Sequence, residues 1–283
     1  IALAIATRRP PGEYVLPSYL PVENLAHFRT FDNHGLATLS CADGRLYAVQ
    51  TDPLAQEFPD EPWTATQDDF RLANELRCFD AADGSPLWST AHGPDAALRD
   101  RWFVSAPAVA GGRAHALSLE RGQVRAVCLD AATGRLLWDT PIGAVLGRQE
   151  GQRSAAELFV EDCGPPAVEG GLAVYPTGRG LVAALDALDG RLLWIAAYPR
   201  ADVSVNRLGL QLSVPNGPWR PGAPLFAGDL CIVAPCDSRR VLALSRRTGA
   251  PVWSAEFHDG VALLGVRDGR LYVQHEGLSC LDA

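Results

Sequence analysis

One ten-residue phrase occurs four times in the chain: FDAADGSPLW at 79–88, LDAATGRLLW at 129–138, LDALDGRLLW at 185–194 and LSRRTGAPVW at 244–253. A fifth copy opens at Leu281-Asp282-Ala283. The tryptophans Trp88, Trp138, Trp194 and Trp253 are spaced 50, 56 and 59 residues apart, too long a period for the common helical solenoids and regular enough to mark repeated structural modules. Ahead of each phrase stands a second element, CADGRLYAV at 41–49, VAGGRAHAL at 109–117, VEGGLAVYP at 168–176, FAGDLCIVA at 226–234 and VRDGRLYVQ at 266–274. Each alternates apolar residues about a glycine turn, with a period of two, and no stretch sustains a capped 3.6-residue pattern. The chain is therefore expected to be all-β.

Each module reads as four strands: one on either side of the glycine turn, one ending at the aspartate and one beginning near the tryptophan. This is a four-stranded antiparallel meander. Such a unit cannot bury both faces by itself, so repetition implies face-to-face stacking of blades into a β-propeller. Asp80, Asp130, Asp186 and Asp282 are assigned to turn chemistry, with Gly84, Gly134, Gly190 and Gly249 supplying a positive φ at the hairpin. Trp88, Trp138, Trp194 and Trp253 occupy equivalent places in successive blades and cannot all face one central ligand, so they are assigned to packing between blades.

The Asp-Ala-x-Thr-Gly-x-x-x-Trp pattern resembles the pyrroloquinoline-quinone-type repeat of the quinoprotein propellers, where it is a tryptophan-docking motif. The resemblance covers residues 35–283 and leaves 1–34 as a lead-in or the remnant of a preceding blade. The repeats make about five visible blades, the last incomplete, and the resemblance implies a larger ring, since about eight blades are common in that family. It also implies extracytoplasmic residence.

The formal net charge of −8 lacks the basic footprint of a nucleic-acid binder. All 25 basic residues are arginine, which reads as coding bias. The first apolar run, Ile1 to Ala6, is far shorter than a membrane span. With no methionine and no signal-peptide pattern, the sequence reads as a segment of a longer product.

In a meander the connections alternate between the two ends of the sheet. The tight glycine turns share one face of the propeller, while the long connections 51–74, 89–102, 140–162 and 196–220 share the other. Long loops on a rigid scaffold are where binding residues concentrate, so a protein partner is expected on that face. Its candidate residues are Trp63, Asp68 and Asp69 in an acidic loop without calcium-loop spacing, and Trp219 and Arg220 in a proline-rich one.

Seven cysteines cannot all pair within the chain. Cys78, Cys128 and Cys280 hold the same repeat position, two before the aspartate, and are read as small buried residues. Cys231 and Cys236 lack metal-site spacing. The histidines His27, His34, His92, His115, His258 and His275 are scattered and are read as surface or rim residues. No metal site and no catalytic residue is assigned.

Two functions follow from the resemblance. The first is a non-catalytic scaffold for protein–protein interaction in the bacterial envelope, similar to the BamB-like envelope propellers. The second is a dehydrogenase oxidising alcohols or sugars with pyrroloquinoline quinone and calcium. A sensory or docking domain of a larger protein is a further alternative to both.

Overall fold

The computed structural model describes residues 39–51, 74–99, 101–120, 123–144, 164–200, 222–257, 262–275 and 277–282. Within them, β1 (Leu39–Ala42), β2 (Arg45–Thr51), β3 (Asn74–Asp80) and β4 (Pro86–Ser89) form the first sheet. The second comprises β5 (Trp102–Phe103), β6 (Ala108–Ala110), β7 (Arg113–Glu120), β8 (Gln123–Asp130) and β9 (Leu136–Ala144). The third holds β10 (Ala167–Glu169), β11 (Leu172–Pro176), β12 (Leu181–Asp186) and β13 (Leu192–Ala197). The fourth holds β14 (Leu225–Ala227), β15 (Leu230–Val233), β16 (Arg240–Ser245) and β17 (Pro251–Glu256), and the fifth β18 (Ala262–Arg267), β19 (Arg270–His275) and β20 (Gly277–Asp282). Each is an antiparallel meander, and together they are the five blades of a β-propeller that the repeat predicts. Blade 2 departs from the pattern. Its first strand is split, with β5 and β6 both pairing with β7.

The turns follow from local chemistry. In four of the five blades the hairpin between the first two full strands places two successive residues at positive φ, as in Asp43-Gly44 (49° and 71°) and Gly170-Gly171 (60° and 81°). That backbone matches the twist of the strands it joins. In the hairpin of the repeated phrase, Asp80 Oδ1 accepts from Ala82 N, Asp130 Oδ1 from Thr133 N and Thr133 Oγ1, and Asp186 Oδ1 from Leu188 N. Asp80, Asp130 and Asp186 thus close their turns with their own side chains.

The residue after Asp80, Asp130, Asp186 or Ser245, the first turn residue of each phrase, is a hub. Its N–H donates to the carbonyl of the blade's other tight turn: Ala81 to Gly44, Ala131 to Gly112, Ala187 to Gly171 and Arg246 to Asp229. Its own carbonyl accepts from the preceding blade. Trp88 Nε1 donates to Ala131 O at 3.1 Å, Trp138 to Ala187 O at 3.4 Å and Trp194 to Arg246 O at 2.8 Å. Each indole also lies flat on the turn glycine of the next blade. A Cβ built on Gly134, Gly190 or Gly249 would stand 2.7, 2.5 or 2.5 Å from the indole carbons of Trp88, Trp138 or Trp194. These glycines are therefore needed for the space above them as well as for φ. For Trp253 the equivalent carbonyl belongs to Ala283, outside the described residues.

The third strand of each of the first four blades makes room for the indole. A register shift beside Cys78, Cys128, Ala184 and Ala243 sets each directly opposite Trp88, Trp138, Trp194 and Trp253. On their other flank these small residues face Tyr47, His115, Val174 and Ile232. Cysteine stands beside a planar ring, whose thinness leaves a gap for sulfur, and alanine stands beside a branched chain that fills the gap itself. The fifth blade repeats the rule with Tyr272 opposite Cys280.

Four buried apolar layers separate the five blades. Between blades 1 and 2 the layer is closed by the buried side chain of Asn74. Its Nδ2 donates to Phe103 O and its Oδ1 accepts from Phe103 N, both at 2.7 Å. The amide mimics one residue of a β-ladder, and this pairing accounts for the extra strand β5. Asn74→Ala, which strands the N–H and C=O of Phe103 in the core, is expected to cost about 2 kcal/mol, measurable by urea denaturation.

Candidate functional site

The candidate partner residues Trp63, Asp68, Asp69, Trp219 and Arg220 lie outside the described residues. Their places in the topology are clear from the strands around them. Positions 52–73 join β2 to β3, and 201–221 lie between β13 and β14, so both connections leave the sheets at the ends opposite the tight turns.

The structure revises the boundaries of three long connections. Strand β9 continues through Ala144 and β13 through Ala197. The 89–102 connection contains a 3-10 turn at Ala96–Leu98 and ends in strand β5. Pairing decides the two ends in blade 2: β7 runs on to Glu120 and gives β5 an edge to follow, and β8, starting at Gln123, does the same for β9.

Among the described residues at this end, two clusters of polar side chains are mutually engaged. Arg101, buried beside the 3-10 turn, donates through Nε to Ala97 O and pairs with Asp139 of β9. Asp139 also takes Arg125 Nε at 2.7 Å, and both arginines reach Glu120 at 3.4 and 3.6 Å. Burial by itself would raise the Asp139 carboxyl, but the hydrogen bonds and charges of Arg101 and Arg125 outweigh it and hold its pKa below the ordinary value. Two cations against two carboxylates leave this cluster balanced. It ties the inter-blade connection to the outermost strand.

A second node joins blades 3 and 4. Asp237 accepts from Gly180 N at 2.8 Å and Tyr198 Oη at 2.6 Å and pairs with Arg200 at 3.0 Å, while Ser238 Oγ donates to Pro199 O. On the tight-turn face of the same seam, the fourth phrase has Ser245-Arg246 where the others have Asp-Ala. Arg246 compensates by reaching back to Glu169 at 2.7 Å and by lying over Phe226, 4.5 Å from its ring centre.

His115 corrects the reading of the histidines as surface or rim residues, because it is fully buried between blades 2 and 3. Its Nδ1 is hydrogen-bonded to Tyr175 Oη at 3.1 Å and its Nε2 is 3.9 Å from Cys128 Sγ, with Trp138 packed alongside. Tyr175, supplied by the next blade, satisfies the ring nitrogen and permits burial. Desolvation, followed by the charge of Arg113, lowers the His115 pKa to about 4, and burial pushes the Cys128 thiol up to about 11. A Cys–His pair with a protonated thiol and no exposed surface has no route to a substrate and no thiolate to offer. It is a packing element.

Cys280 is a second correction. Cys78 and Cys128 are buried as expected, but Cys280 is exposed, because no described blade covers its side of the fifth sheet. Among the described residues no three His, Cys, Asp or Glu side chains converge as a metal site. The described residues also contain no helix long and apolar enough to cross a membrane.

The sequence of 72–214, half of the chain, matches the family model described as outer membrane protein assembly factor BamB. No curated protein matches the chain. Among solved structures, BamB from Moraxella catarrhalis is similar at 16% identity and a TM-score of 0.52, over 87% of this chain and 60% of that one. A chain of a mitotic checkpoint complex is similar at 11% identity and a TM-score of 0.51, over 88% of this chain and 60% of that one. A europium-containing methanol dehydrogenase aligns at 15% identity with a TM-score of 0.44, over 88% of this chain and 52% of that one. The chain thus spans 60% of the length of the BamB it matches. The stacked meanders with an indole between blades and the matched repeats together place this chain in the BamB family of pyrroloquinoline-quinone-type propellers.

Proposed function

We propose that the chain is a non-catalytic propeller scaffold that binds protein partners in the bacterial cell envelope. The observation that carries this reading is the fate of the groups suited to chemistry. Among the described residues, His115, Cys128, Asp139 and Asp237 are all engaged across or beside the seams between blades, which form a platform from one end of which the long connections leave. The family's role in outer membrane assembly supports an envelope partner. The indole–carbonyl–glycine contacts support reading the repeat tryptophans as docking motifs.

The partner face is the long-loop face, with Trp63, Asp68, Asp69, Trp219 and Arg220 as contact residues. A photo-crosslinking side chain placed at Trp63 or Trp219 of the full-length gene product, expressed in its own bacterium, is expected to capture a discrete outer membrane assembly protein. The same group at Gly44 on the tight-turn face is expected to capture none. Equal capture from both faces, or from neither, overturns the assignment. Calorimetric titration with pyrroloquinoline quinone and calcium, followed by dye-coupled alcohol oxidation, is expected to show neither binding nor turnover. Saturable binding with calcium-dependent turnover would replace the scaffold reading with the dehydrogenase one.

A further inference from the structure

The outermost strands of the first four blades are equivalent in the repeat, yet one differs in what it presents. Strands β4, β9 and β17 each contain a proline (Pro86, Pro141, Pro251), together with polar groups: Ser89 in β4, Asp139 in β9, Ser254 and Glu256 in β17. Proline and charge are what keeps a sheet edge from pairing with another chain. Strand β13, Leu192-Leu193-Trp194-Ile195-Ala196-Ala197, has neither. It is the last strand of its sheet among the described residues, so its outer backbone edge is unpaired there.

Its side chains alternate sharply. Trp194 and Ala196 are buried against blade 4, while Leu193 and Ile195 are 40% and 45% exposed and Ala197 is exposed beside them. At the register of Ile195 the other blades place Ser89, Asp139 and Ser254, each one residue past the tryptophan. Leu188, on the adjoining turn, is 67% exposed where the other copies have Ala82, Ala132 and Arg247. Of the first four blades, this one alone combines, among the described residues, an unguarded edge with an aliphatic outer side.

The charges flanking the strand select its occupant. Arg191 precedes it with 65% of its side chain exposed and Arg200 follows it with 49% exposed. Their acidic neighbours Asp186 and Asp237 also serve backbone groups. Nine residue steps of extended chain separate the two arginines by roughly 30 Å. A second copy of this chain is a poor fit. Antiparallel pairing of two β13 strands about Ile195 would bring each Arg191 beside the other copy's Arg200, like against like.

We propose that the outer edge of β13 accepts an extended segment of a partner protein as a fifth strand of blade 3. That segment has aliphatic residues at alternate positions and a carboxylate near each end. Main-chain hydrogen bonds hold it, the Leu193–Ile195–Ala197 stripe reads its alternate side chains, and Arg191 and Arg200 set its length and charge. This contact rests on the reading of the chain as a protein-binding propeller but lies on the rim, away from the long loops.

The test uses the full chain and a fluorescent peptide, Glu-Val-Thr-Val-Ser-Val-Thr-Glu, with a control carrying lysine in place of both glutamates. The acidic peptide is expected to bind about tenfold tighter than the lysine one, the difference two exposed ion pairs supply. Binding is expected to protect the amides of β13 from hydrogen exchange. Ile195→Asp, which installs on β13 the guard that blade 2 carries, is expected to abolish binding while leaving the circular dichroism and urea midpoint near those of the parent. Unchanged binding by Ile195→Asp, absence of binding, or protection elsewhere overturns the proposal. So does concentration-dependent dimerisation lost in Ile195→Asp, which would make a second copy the occupant. Crosslinks from Trp63 or Trp219 that persist in Ile195→Asp separate failure here from failure of the scaffold reading.

Discussion

Alanine at Gly249 is expected to destabilise the protein by about 3 kcal/mol, through φ = 71° and through a Cβ that would sit 2.5 Å from Trp194 Cε3. Trp194 is buried, and Trp194→Ala is expected to cost about 4 kcal/mol by leaving a cavity between blades 3 and 4 and an unpaired Arg246 carbonyl. The two costs do not add. Once the indole is gone the alanine methyl has room, so the double variant retains only the backbone strain of the glycine replacement and is more stable than the sum predicts by about 1 to 2 kcal/mol. Gly171→Ala is the control. It shares the positive φ, at 81°, but has nothing within 4 Å of the added methyl, so it is expected to lose only about 1 to 2 kcal/mol. Urea denaturation of the four variants and the parent checks this. Strict additivity of Gly249→Ala and Trp194→Ala would mean that the indole is not what excludes the methyl.

Acid is expected to weaken the seam between blades 2 and 3 by up to about 3 kcal/mol through His115 alone. Its pKa lies near 4 in the folded protein and near the ordinary 6.5 when unfolded, so between these values the unfolded chain binds the proton and the folded one resists it. The stability tied to neutral His115 is complete above pH 6.5 and is lost as pH falls toward 4. The groups facing the ring are Tyr175 from blade 3 and Cys128 and Trp138 from its own blade, with the Arg113 charge also acting on it. None of these is an anion that would stabilise an imidazolium. Thermal melts between pH 7 and 4.5 check this, with His115→Phe in a Tyr175→Phe background so that no hydroxyl is stranded. That variant is expected to show a much shallower decline of Tm with pH than the parent, and an identical slope would place the acid sensitivity elsewhere.

The blades, their order and their turns were legible from contiguous residues. The Asp-to-Gly stretch of each phrase closes its own hairpin through bonds spanning two to four positions, so composition at those positions suffices. The recurring tryptophan announced a packing role. Its two partners, the carbonyl and the glycine of the next blade, were visible only once the blades were stacked. A finer signal lay unused in the repeat: cysteine or alanine at one position follows Tyr or His versus Val or Ile at another.

The extra strand β5 could not be read in the same way, because Trp102-Phe103 is too short to show alternation and is held by Asn74, 29 residues away. His115 looked like any other scattered histidine. Its burial depends on a phenol 60 residues later, in a different blade. The long connections are the reverse case, plain in the sequence as insertions and assigned to one face by topology.

By itself the sequence determined the all-β class, the meander of each blade, the face from which the long loops leave, and the assignment of the repeated aspartates, glycines and tryptophans to architecture. These are local matters of turn geometry and period, written within a single module. Only the tertiary structure decided which polar groups are buried, why Cys280 is exposed while Cys78 and Cys128 are not, and that β13 is the one outer strand in four without a proline or charged guard. Each of those depends on what a neighbouring module places against a residue. A repeat specifies its own fold, but the solvent exposure and protonation of its side chains are set by contacts about one module away.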